Sequence, residues 1–344
     1  MDGSFIYSDE GQISIGDSCS FNHNVMISSS NGGNISIGNN VLIGPNVVLR
    51  ASEHVYEDIN MPISTQGHIG GSIIIEDGVW IASNVVITKD VYGGTTNFFA
   101  TIARKRGLEV NFCDMYDLEK LESLINNKTK LVWIESPSNP NMNIYDLSKI
   151  SELAHNEGAL LVADSTFCTP FITRPFEHGV DIIMHSTTKY IGGHSDTLGG
   201  VVVVNNLEIR ETLYEYQKTS GGIMSPFDSY LCQRGLYTLG PRIELHSKNA
   251  HQLAEYLSTS EHIKEARYPG LKDSKNHDIA SKQMDYFGGM LSFFLEDHID
   301  QPTFWESLNL YKLAVSLGGV ETLIEVPYLM THEKVTGLEG EVIN

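Results

Sequence analysis

A six-residue repeat near the amino terminus constrains the fold of this chain more than any other feature. It appears three times, as IGDSCSFNHNVMI from Ile15, IGNNVLIGPNVVL from Ile37 and IEDGVWIASNVVI from Ile75. An apolar residue, mostly aliphatic, recurs every sixth position and is usually followed by a small or polar residue. A fixed period of this kind is typical of solenoids, in which short strands stack in coils and each coil buries its aliphatic residues under the next.

Ordinary antiparallel strands would alternate with a period of two instead. We therefore predict a hexapeptide-repeat β-helix over residues 1–89. The segment RASEHVYEDINMPISTQGHIGGS at residues 50–72 breaks the repeat. We expect it to leave the coil as a loop, and insertions of this kind often carry function.

The sequence pattern changes at Asp90, where alternating helices and strands replace the repeat. Apolar runs KLVWIE, ALLVAD, VDIIMHS and GGVVVV are separated by helical stretches such as DLEKLESLI and DLSKISELAHNEG. This alternation is typical of a parallel α/β sheet. A long helical segment then leads into GGMLSFFLE and YKLAVSLGG, which indicate a smaller α+β domain. We predict a large α/β domain over residues 90–240 and a small carboxy-terminal domain over residues 241–344.

The chain is strongly acidic, with 43 Asp and Glu residues against 23 Lys and Arg residues and a formal net charge of -20. Because such a surface repels phosphate backbones and anionic headgroups, we expect neither nucleic acid nor membrane as a partner. The opening MDGSFIYSDEGQ lacks the basic and apolar parts of a signal peptide, and we expect a cytoplasmic protein. Its four cysteines form no C-x-x-C pair, so we expect neither disulfides nor a metal site.

Polar side chains follow the apolar runs where each predicted strand ends. They are Asn139 after KLVWIE, Asp164 at the end of ALLVAD, and Ser186, Thr188 and Lys189 after VDIIMH. Ligands of open α/β sheets bind at the carboxyl ends of the strands. Pyridoxal phosphate (PLP) requires an amine for its imine, an acid beside its pyridine nitrogen and donors for its phosphate. Singly, such a lysine is more often a solvated charge and such an aspartate a helix cap, but their joint spacing favours a PLP site.

Several motifs resemble the Cys/Met-metabolism PLP enzymes, a family of trans-sulfuration lyases and synthases that includes the cystathionine and methionine γ-lyases. The matching segments follow the family's order and are DVYGGT, TKLVWIESPSNP, ADSTFCTPF, HSTTKYIGGHSD, SPFDSYLCQRGLYTL, YPGL, GGMLSF and SLGGVETLIE. The resemblance implies an aminotransferase-like large domain of fold type I. It also implies a small amino-acid substrate and a homo-oligomer.

The resemblance assigns roles to individual residues. It implies that PLP is bound covalently to Lys189, which would also remove the substrate's α-proton, and that Ser316 lies near the substrate-binding site. The cofactor would further contact Asp164 at its pyridine nitrogen, Asn139 at its phenolic oxygen, Ser186 and Thr188 at its phosphate, and Tyr92 at its ring face. Tyr92 could also act as an acid or base near the leaving group.

Two segments of the family pattern are not found in the sequence. These are the glycine-containing phosphate loop before DVYGGT and the R-x-S-x-G-x-E run near the carboxyl terminus. We therefore expect a large domain without its amino-terminal part and a truncated small domain.

The amino-terminal repeat resembles the left-handed β-helix acyltransferases that O-acetylate sugars. The likeness is carried by ASEHVYEDINMPISTQGHIGGSIIIEDGVWIASNVVI, and it implies His54 as a general base and acetyl-CoA as a co-substrate. The alternative for His54 is a solvated loop histidine. Three functions stay open: a PLP-dependent C–S lyase or γ-synthase acting on cystathionine, methionine or a related γ-substituted amino acid, a sugar O-acetyltransferase, and an inactive chimera.

Overall fold

A computed structural model describes residues 4–21, 25–44, 47–55, 61–62, 65–81 and 83–330 of the chain. The chain divides into two compact units. One comprises Met1–Asn84 and Asn97–Val110, and the other comprises Val85–Thr96 and Asn111–Asn344. The division into three domains after residues 89 and 240 stays a prediction.

The first unit contains short strands that stack in three parallel sheets. The sheets are β1 (Phe5–Asp9), β4 (Met26–Ser30) and β7 (Val48–Arg50); β2 (Gln12–Ile15), β5 (Asn34–Ile37) and β10 (Ser72–Ile75); and β3 (Ser20–Phe21), β6 (Leu42–Ile43) and β11 (Trp80–Ile81). Successive strands pass from one sheet to the next, as the stacked coils predicted from the period require. The left-handed β-helix stays a prediction.

Aliphatic residues at the repeat positions fill the inside of these coils. Ile35 is in register with Ile13 on one side and Ile73 on the other. Ile27 and Val41 are fully buried in the same cluster. Full burial of such a side chain contributes about 1.5–3 kcal/mol to stability. Because these side chains are buried by the coils next to them, each coil is stabilised mainly by its immediate neighbours.

A polar ladder joins the turns of three coils. The Asn39 N–H donates to Asp77 Oδ1 at 2.6 Å, and the Asp17 N–H donates to Asn39 Oδ1 at 2.8 Å. The three residues occupy the same position in the three repeats, two residues after the isoleucine. The Asn39 and Asp77 side chains thus accept the turn N–H groups of the neighbouring coils, which explains why the repeat favours polar residues there.

The insertion at residues 50–72, predicted to leave the coil as a loop, contains two short strands that pair with each other. Strands β8 (Ser52–His54) and β9 (His68–Gly70) pair in an antiparallel manner, with His54 opposite His68. Residues 56–60 and 63–64 of this insertion lie outside the described residues.

A six-stranded sheet forms the core of the α/β part. Its spatial order is β13 (Leu108–Cys113), β12 (Ser83–Thr88), β14 (Thr129–Glu135), β15 (Leu160–Asp164), β16 (Ile182–Ser186) and β17 (Gly200–Val204). Val85, Val86 and Ile87 are buried in succession, because a central strand is covered on both faces. The third repeat is therefore only partly a coil, since β12 contains its last residues.

The last strand of this sheet departs from the predicted parallel arrangement. Strands β14, β15 and β16 are parallel, but β17, which contains the GGVVVV run, is antiparallel to β16. The connection between β16 and β17 contains only the π-helical turn Thr187–Ile191 and a loop. It lacks the crossover helix by which parallel neighbours are usually joined.

Further helices and minor strands lie within the described ranges. The helices are α1 (Gly93–Asn97), α2 (Leu118–Leu124), α3 (Leu147–Asn156), α4 (Thr169–Ile172), α5 (Leu207–Ser220), α6 (Pro226–Leu236), α7 (Leu239–Ser258), α8 (His277–Gln283), α9 (Gln301–Ser307) and α10 (Pro327–Met330), with a π-helix at Phe98–Ala103 and a 3-10 turn at Pro175–His178. The minor strands are β18 (Ile263–Arg267), β19 (Ser292–Leu295), β20 (Lys312–Leu313) and β21 (Leu323–Ile324). Asp117 and Asp146 cap α2 and α3 by accepting N–H groups of their first turns.

None of the helices in the described ranges is both long and apolar enough to cross a bilayer. The same ranges contain no group of three or more His, Cys, Asp or Glu side chains arranged to hold a metal ion.

Candidate functional site

Three parallel strands of the second unit bring their carboxyl ends to one edge of the sheet. Glu135 at the end of β14 is in register with Asp164 at the end of β15. Asp164 is in register with Met184 of β16, whose last residue is Ser186. Residues that follow separate apolar runs in the sequence therefore meet at the edge where open α/β sheets bind ligands.

Asp164 is a buried carboxyl group with an exposed fraction of 7%. Its Oδ1 accepts hydrogen bonds from the Thr166 N–H at 3.0 Å and the Thr166 hydroxyl at 2.6 Å. Burial raises the pKa of Asp164, and the two bonds from Thr166 oppose that rise. Within the described ranges Asp164 forms no ion pair, so its charge lacks a protein cation to balance it there.

Lys189 lies in the π-helical turn Thr187–Ile191, half-buried just beyond β16. Its own backbone is not helical, with φ -95° and ψ -132°, and such interruptions are common at functional sites. Its Nζ donates a hydrogen bond to Ser316 Oγ at 2.9 Å. Burial lowers the pKa of Lys189, while the nearby Glu325 carboxylate opposes that change.

The segment that carries Ser316 approaches the lysine turn closely. Ser316 has a φ of +93°, which is strained for a residue with a side chain. Gly318 has a φ of +79°, and a Cβ there would overlap the backbone of Lys189 and Tyr190. Glycine is required at Gly318 for both reasons, and the close approach holds Ser316 next to the lysine amine.

Tyr92 and Asn139 are both linked to the end of β14. The Tyr92 N–H donates to Glu135 Oε2 at 3.0 Å, and Asn139 lies four residues after Glu135 in the sequence. The Tyr92 side chain is 52% exposed, and Asn139 is half-buried. An exposed ring whose backbone is held at the edge of the sheet can lie against a planar ligand.

Ser186 and Thr188, the two residues predicted to bind the cofactor phosphate, form hydrogen bonds that involve the backbone beside β16. The Ser186 N–H donates to the Thr166 hydroxyl at 2.9 Å. The Thr188 hydroxyl accepts from the Gly199 N–H at 3.1 Å and lies 3.3 Å from the Gly199 carbonyl, to which it donates. Thr166 thus connects the Asp164 and Ser186 strand ends.

His54, the remaining predicted site residue, belongs to the first unit. Its ring centroid lies 4.0 Å from that of His68, at an interplanar angle of 39°, and both residues are exposed. The structure therefore gives His54 an imidazole neighbour.

Two residues of the strand-end site were missed in the sequence. Glu135 and Thr166 connect the predicted residues to one another, but neither is among the residues predicted from the sequence. A carboxylate at the end of an apolar run such as KLVWIE could have indicated Glu135, because an acid is rarely buried without a reason. Thr166 gives no comparable signal, since a hydroxyl after a strand is common in turns.

The chemistry of the strand-end residues fits PLP. Asp164 is a buried carboxyl without a cation among the described residues, and a protonated pyridine nitrogen would balance it. Lys189 supplies an amine whose pKa is lowered. The buried Ser165 Oγ, between Asp164 and Thr166, has no hydrogen-bond partner within the described part of the chain. A protein that has an α/β sheet with these groups at its carboxyl edge belongs to the class of PLP-binding proteins.

The chain belongs to the Cys/Met metabolism PLP-dependent enzyme family, which matches residues 72–342. It is 46% identical over 261 residues to cystathionine beta-lyase of Coxiella burnetii, covering 75% of this chain and 67% of that protein. It is 43% identical over 256 residues to cystathionine gamma-lyase of Dictyostelium discoideum, covering 74% and 66%. The chain thus spans about two thirds of the length of these curated relatives.

Solved structures agree with this assignment. Cystathionine gamma-lyase from Lactobacillus plantarum, complexed with L-serine, superposes with a TM-score of 0.72 at 38% identity, over 73% of this chain and 66% of that one. The metB protein from Corynebacterium glutamicum gives a TM-score of 0.73 at 41% identity, over 76% and 68%. The family match begins at residue 72, ahead of the predicted boundary at residue 90.

Proposed function

We propose that this chain is a PLP-dependent C–S lyase of sulfur amino-acid metabolism that acts on cystathionine or a related γ-substituted amino acid. The observation that carries this proposal is the half-buried Lys189 amine, held by Ser316 at 2.9 Å in the turn that follows β16. Membership of the family and similarity to cystathionine lyases support it. Within the same family, γ-synthase activity is the alternative.

The residues that would hold PLP are those at the strand ends. Bound PLP supplies an electron sink that makes the α-proton of an amino acid acidic. Lys189 would bind the aldehyde carbon, Asp164 the pyridine nitrogen and Asn139 the phenolic oxygen. Ser186 and Thr188 would bind the phosphate, and Tyr92 would cover the ring.

Lys189 would also move the substrate protons. Because burial lowers the pKa of its amine, a larger fraction of that amine is unprotonated near neutral pH and can accept the α-proton. The hydroxyl of Ser316 would keep Nζ directed toward the substrate. Tyr92 would then donate a proton to the leaving sulfur at its exposed side of the site.

An assay of keto-acid release from cystathionine tests this proposal. We expect the wild-type chain with added PLP to release product, and Lys189→Ala to lose about 10²- to 10⁴-fold in rate, the range for removal of a general base. Ser316→Ala should lower the rate less, because the amine remains. Lys282→Ala, at an exposed lysine of α8, is the matched control. Equal activity of Lys189→Ala and Lys282→Ala would exclude the proposed role of Lys189.

We also propose a second activity for the first unit, sugar O-acetylation within a left-handed β-helix. The observation in its favour is the exposed His54 opposite His68, on a hairpin that interrupts stacked parallel sheets. His54 would take a proton from a sugar hydroxyl, whose oxygen attacks the thioester carbonyl of acetyl-CoA and releases the thiol. Acetyl transfer lost in His54→Ala but kept in His262→Ala, at an exposed histidine of the second unit, would support it. Absence of transfer in the wild type would reject it.

We infer further that the chain forms a homo-oligomer in the cytoplasm, with domains at residues 1–89, 90–240 and 241–344. Helix α5 supports self-association, because none of its residues is buried and Leu207 and Tyr214, about two turns apart on one face, are 75% and 56% exposed. Apolar residues exposed on one element are typical of an interface. Light scattering tests the oligomer, and a molecular mass equal to one chain would reject it.

A further inference from the structure

Glu135 and Asp164 form a pair of buried carboxyl groups on neighbouring strands. Their exposed fractions are 4% and 7%. The two residues are in register in a parallel ladder, where adjacent strands lie about 4.7–4.9 Å apart. Two carboxylates that are this close and this deeply buried cannot both be ionised without a large repulsion, so such a pair retains a proton.

The hydrogen bonds of the two groups differ in a way that locates this proton. Asp164 Oδ1 accepts two hydrogen bonds from Thr166, and donors of this kind stabilise an ionised oxygen. Glu135 Oε2 accepts the Tyr92 N–H, but Glu135 Oε1 is buried and has no hydrogen-bond partner among the described residues. A charged oxygen without donors is costly to bury, whereas a neutral acid costs much less.

A third carboxylate lies near the pair. Asp90 is buried and accepts hydrogen bonds from three side chains, those of Ser138, Asn141 at 3.0 Å and Asn143 at 2.8 Å. Burial, then the charge of Asp164, then that of Asp90 raise the pKa of Glu135 well above its usual range, against the opposing N–H groups of Tyr92 and Asn139.

We propose that Glu135 is a positioning residue of the strand-end site, which holds the proton of the carboxyl pair and leaves Asp164 as the ionised member. The neutral Glu135 carboxyl anchors the backbone of Tyr92 at the end of β14 by accepting its N–H at 3.0 Å. The ionised Asp164 is then available for a cationic pyridine nitrogen. This role deepens the proposed function and rests on it for the identity of the ligand.

Two substitutions separate this role from a merely structural one. Glu135→Gln has the shape of the neutral acid, and its carbonyl oxygen can accept the Tyr92 N–H. Glu135→Ala removes the anchor as well as the proton. Glu152→Gln, at an exposed glutamate of α3, is the matched control for the change of charge.

Infrared spectroscopy of the full chain at neutral pH without PLP tests the location of the proton. We expect a protonated-carboxyl band in the wild type and in Glu152→Gln, and its loss in Glu135→Gln. A band that persists in Glu135→Gln and disappears in Asp164→Asn would place the proton on Asp164 and overturn the inference. The absence of any such band in the wild type would overturn it as well.

PLP binding provides the second measurement and keeps this inference distinct from the proposed function. We expect Glu135→Gln to bind PLP within about threefold of the wild type, and Glu135→Ala to bind at least about tenfold more weakly, as the loss of a buried hydrogen-bond anchor predicts. Equal weakening in Glu135→Gln and Asp164→Asn would contradict a neutral Glu135. Failure of the wild type to bind PLP would instead refute the proposed function, while the infrared result would still decide the location of the proton.

Discussion

The two units are organised by contacts of different range. In the first unit, Ile35 packs between Ile13 and Ile73 in neighbouring coils, and one repeated position supplies all three. In the second unit, Lys189 is held by Ser316, which is 127 residues away in the sequence. A repeat can therefore specify a stack of coils through one pattern, whereas the strand-end site depends on many separate contacts that no single pattern contains.

The largest expected effect on this comparison comes from truncating a buried side chain in the core of each unit, which lowers the free energy of unfolding. Ile35→Ala should lower the free energy of unfolding of the first unit by about 2–5 kcal/mol, because Ile35 is 2% exposed. Hydrogen exchange should then increase in β2, β5 and β10 and stay unchanged in β14 to β16. Leu161→Ala, at a fully buried residue of β15, should produce the reverse pattern.

Ile74→Ala is the control for that experiment, since Ile74 is next to the buried Ile75 but 76% exposed. It should change exchange in neither unit. If Ile35→Ala increased exchange in β14 to β16 as much as in β5, the view that the coils are stabilised locally would be wrong.

A smaller effect is the pH dependence of the free energy of unfolding, to which a buried histidine of the six-stranded sheet contributes. His185 of β16 is 5% exposed and its Nδ1 lies 3.0 Å from the Ser165 carbonyl oxygen, and burial lowers its pKa from 6.5 to about 4. Between pH 6.5 and about 4, His185 therefore binds a proton in the unfolded chain but not in the folded chain. The free energy of unfolding should therefore fall as pH falls from 6.5 to about 4, by about 3 kcal/mol at most.

Urea denaturation at several pH values measures this effect. His185→Asn should remove the corresponding part of the pH dependence, and His262→Asn, at an exposed histidine, should retain it. An identical pH dependence in the wild type and His185→Asn would show that His185 is not buried in its neutral form.

The smallest expected effect is the loss of one hydrogen bond from the polar ladder of the first unit. Asn39→Ala removes the acceptor for the Asp17 N–H and should lower the free energy of unfolding by about 0.5–1.5 kcal/mol. Asn34→Ala, at an exposed residue of β5, tests whether the effect is specific to the ladder. Thermal unfolding of both variants would show it, and a larger loss for Asn34→Ala would contradict the ladder.

Local patterns in the sequence predicted much of both units. The period of six indicated stacked parallel strands, and the apolar runs indicated β14, β15 and β16 with Asp164, Ser186 and Lys189 at their ends. These predictions succeeded because coil stacking and strand ends follow from residues that are close in the sequence.

Features that depend on distant contacts could not be predicted in the same way. Strand β12 continues the repeat pattern but pairs in the six-stranded sheet, and β17 looks like any other apolar run but is antiparallel. The carboxyl pair of Glu135 and Asp164 arises only when two strands are placed in register. Pairing partner and direction are set by tertiary structure, which an apolar run alone does not encode.

Borohydride reduction of the full chain with added PLP is the most direct test of the proposed PLP site. The absorbance spectrum would be recorded before and after reduction, and the labelled peptide would then be mapped. We expect a visible absorbance band that reduction removes, with the pyridoxyl group on Lys189. A chain without this band, or with the label on another lysine, would contradict the proposed site.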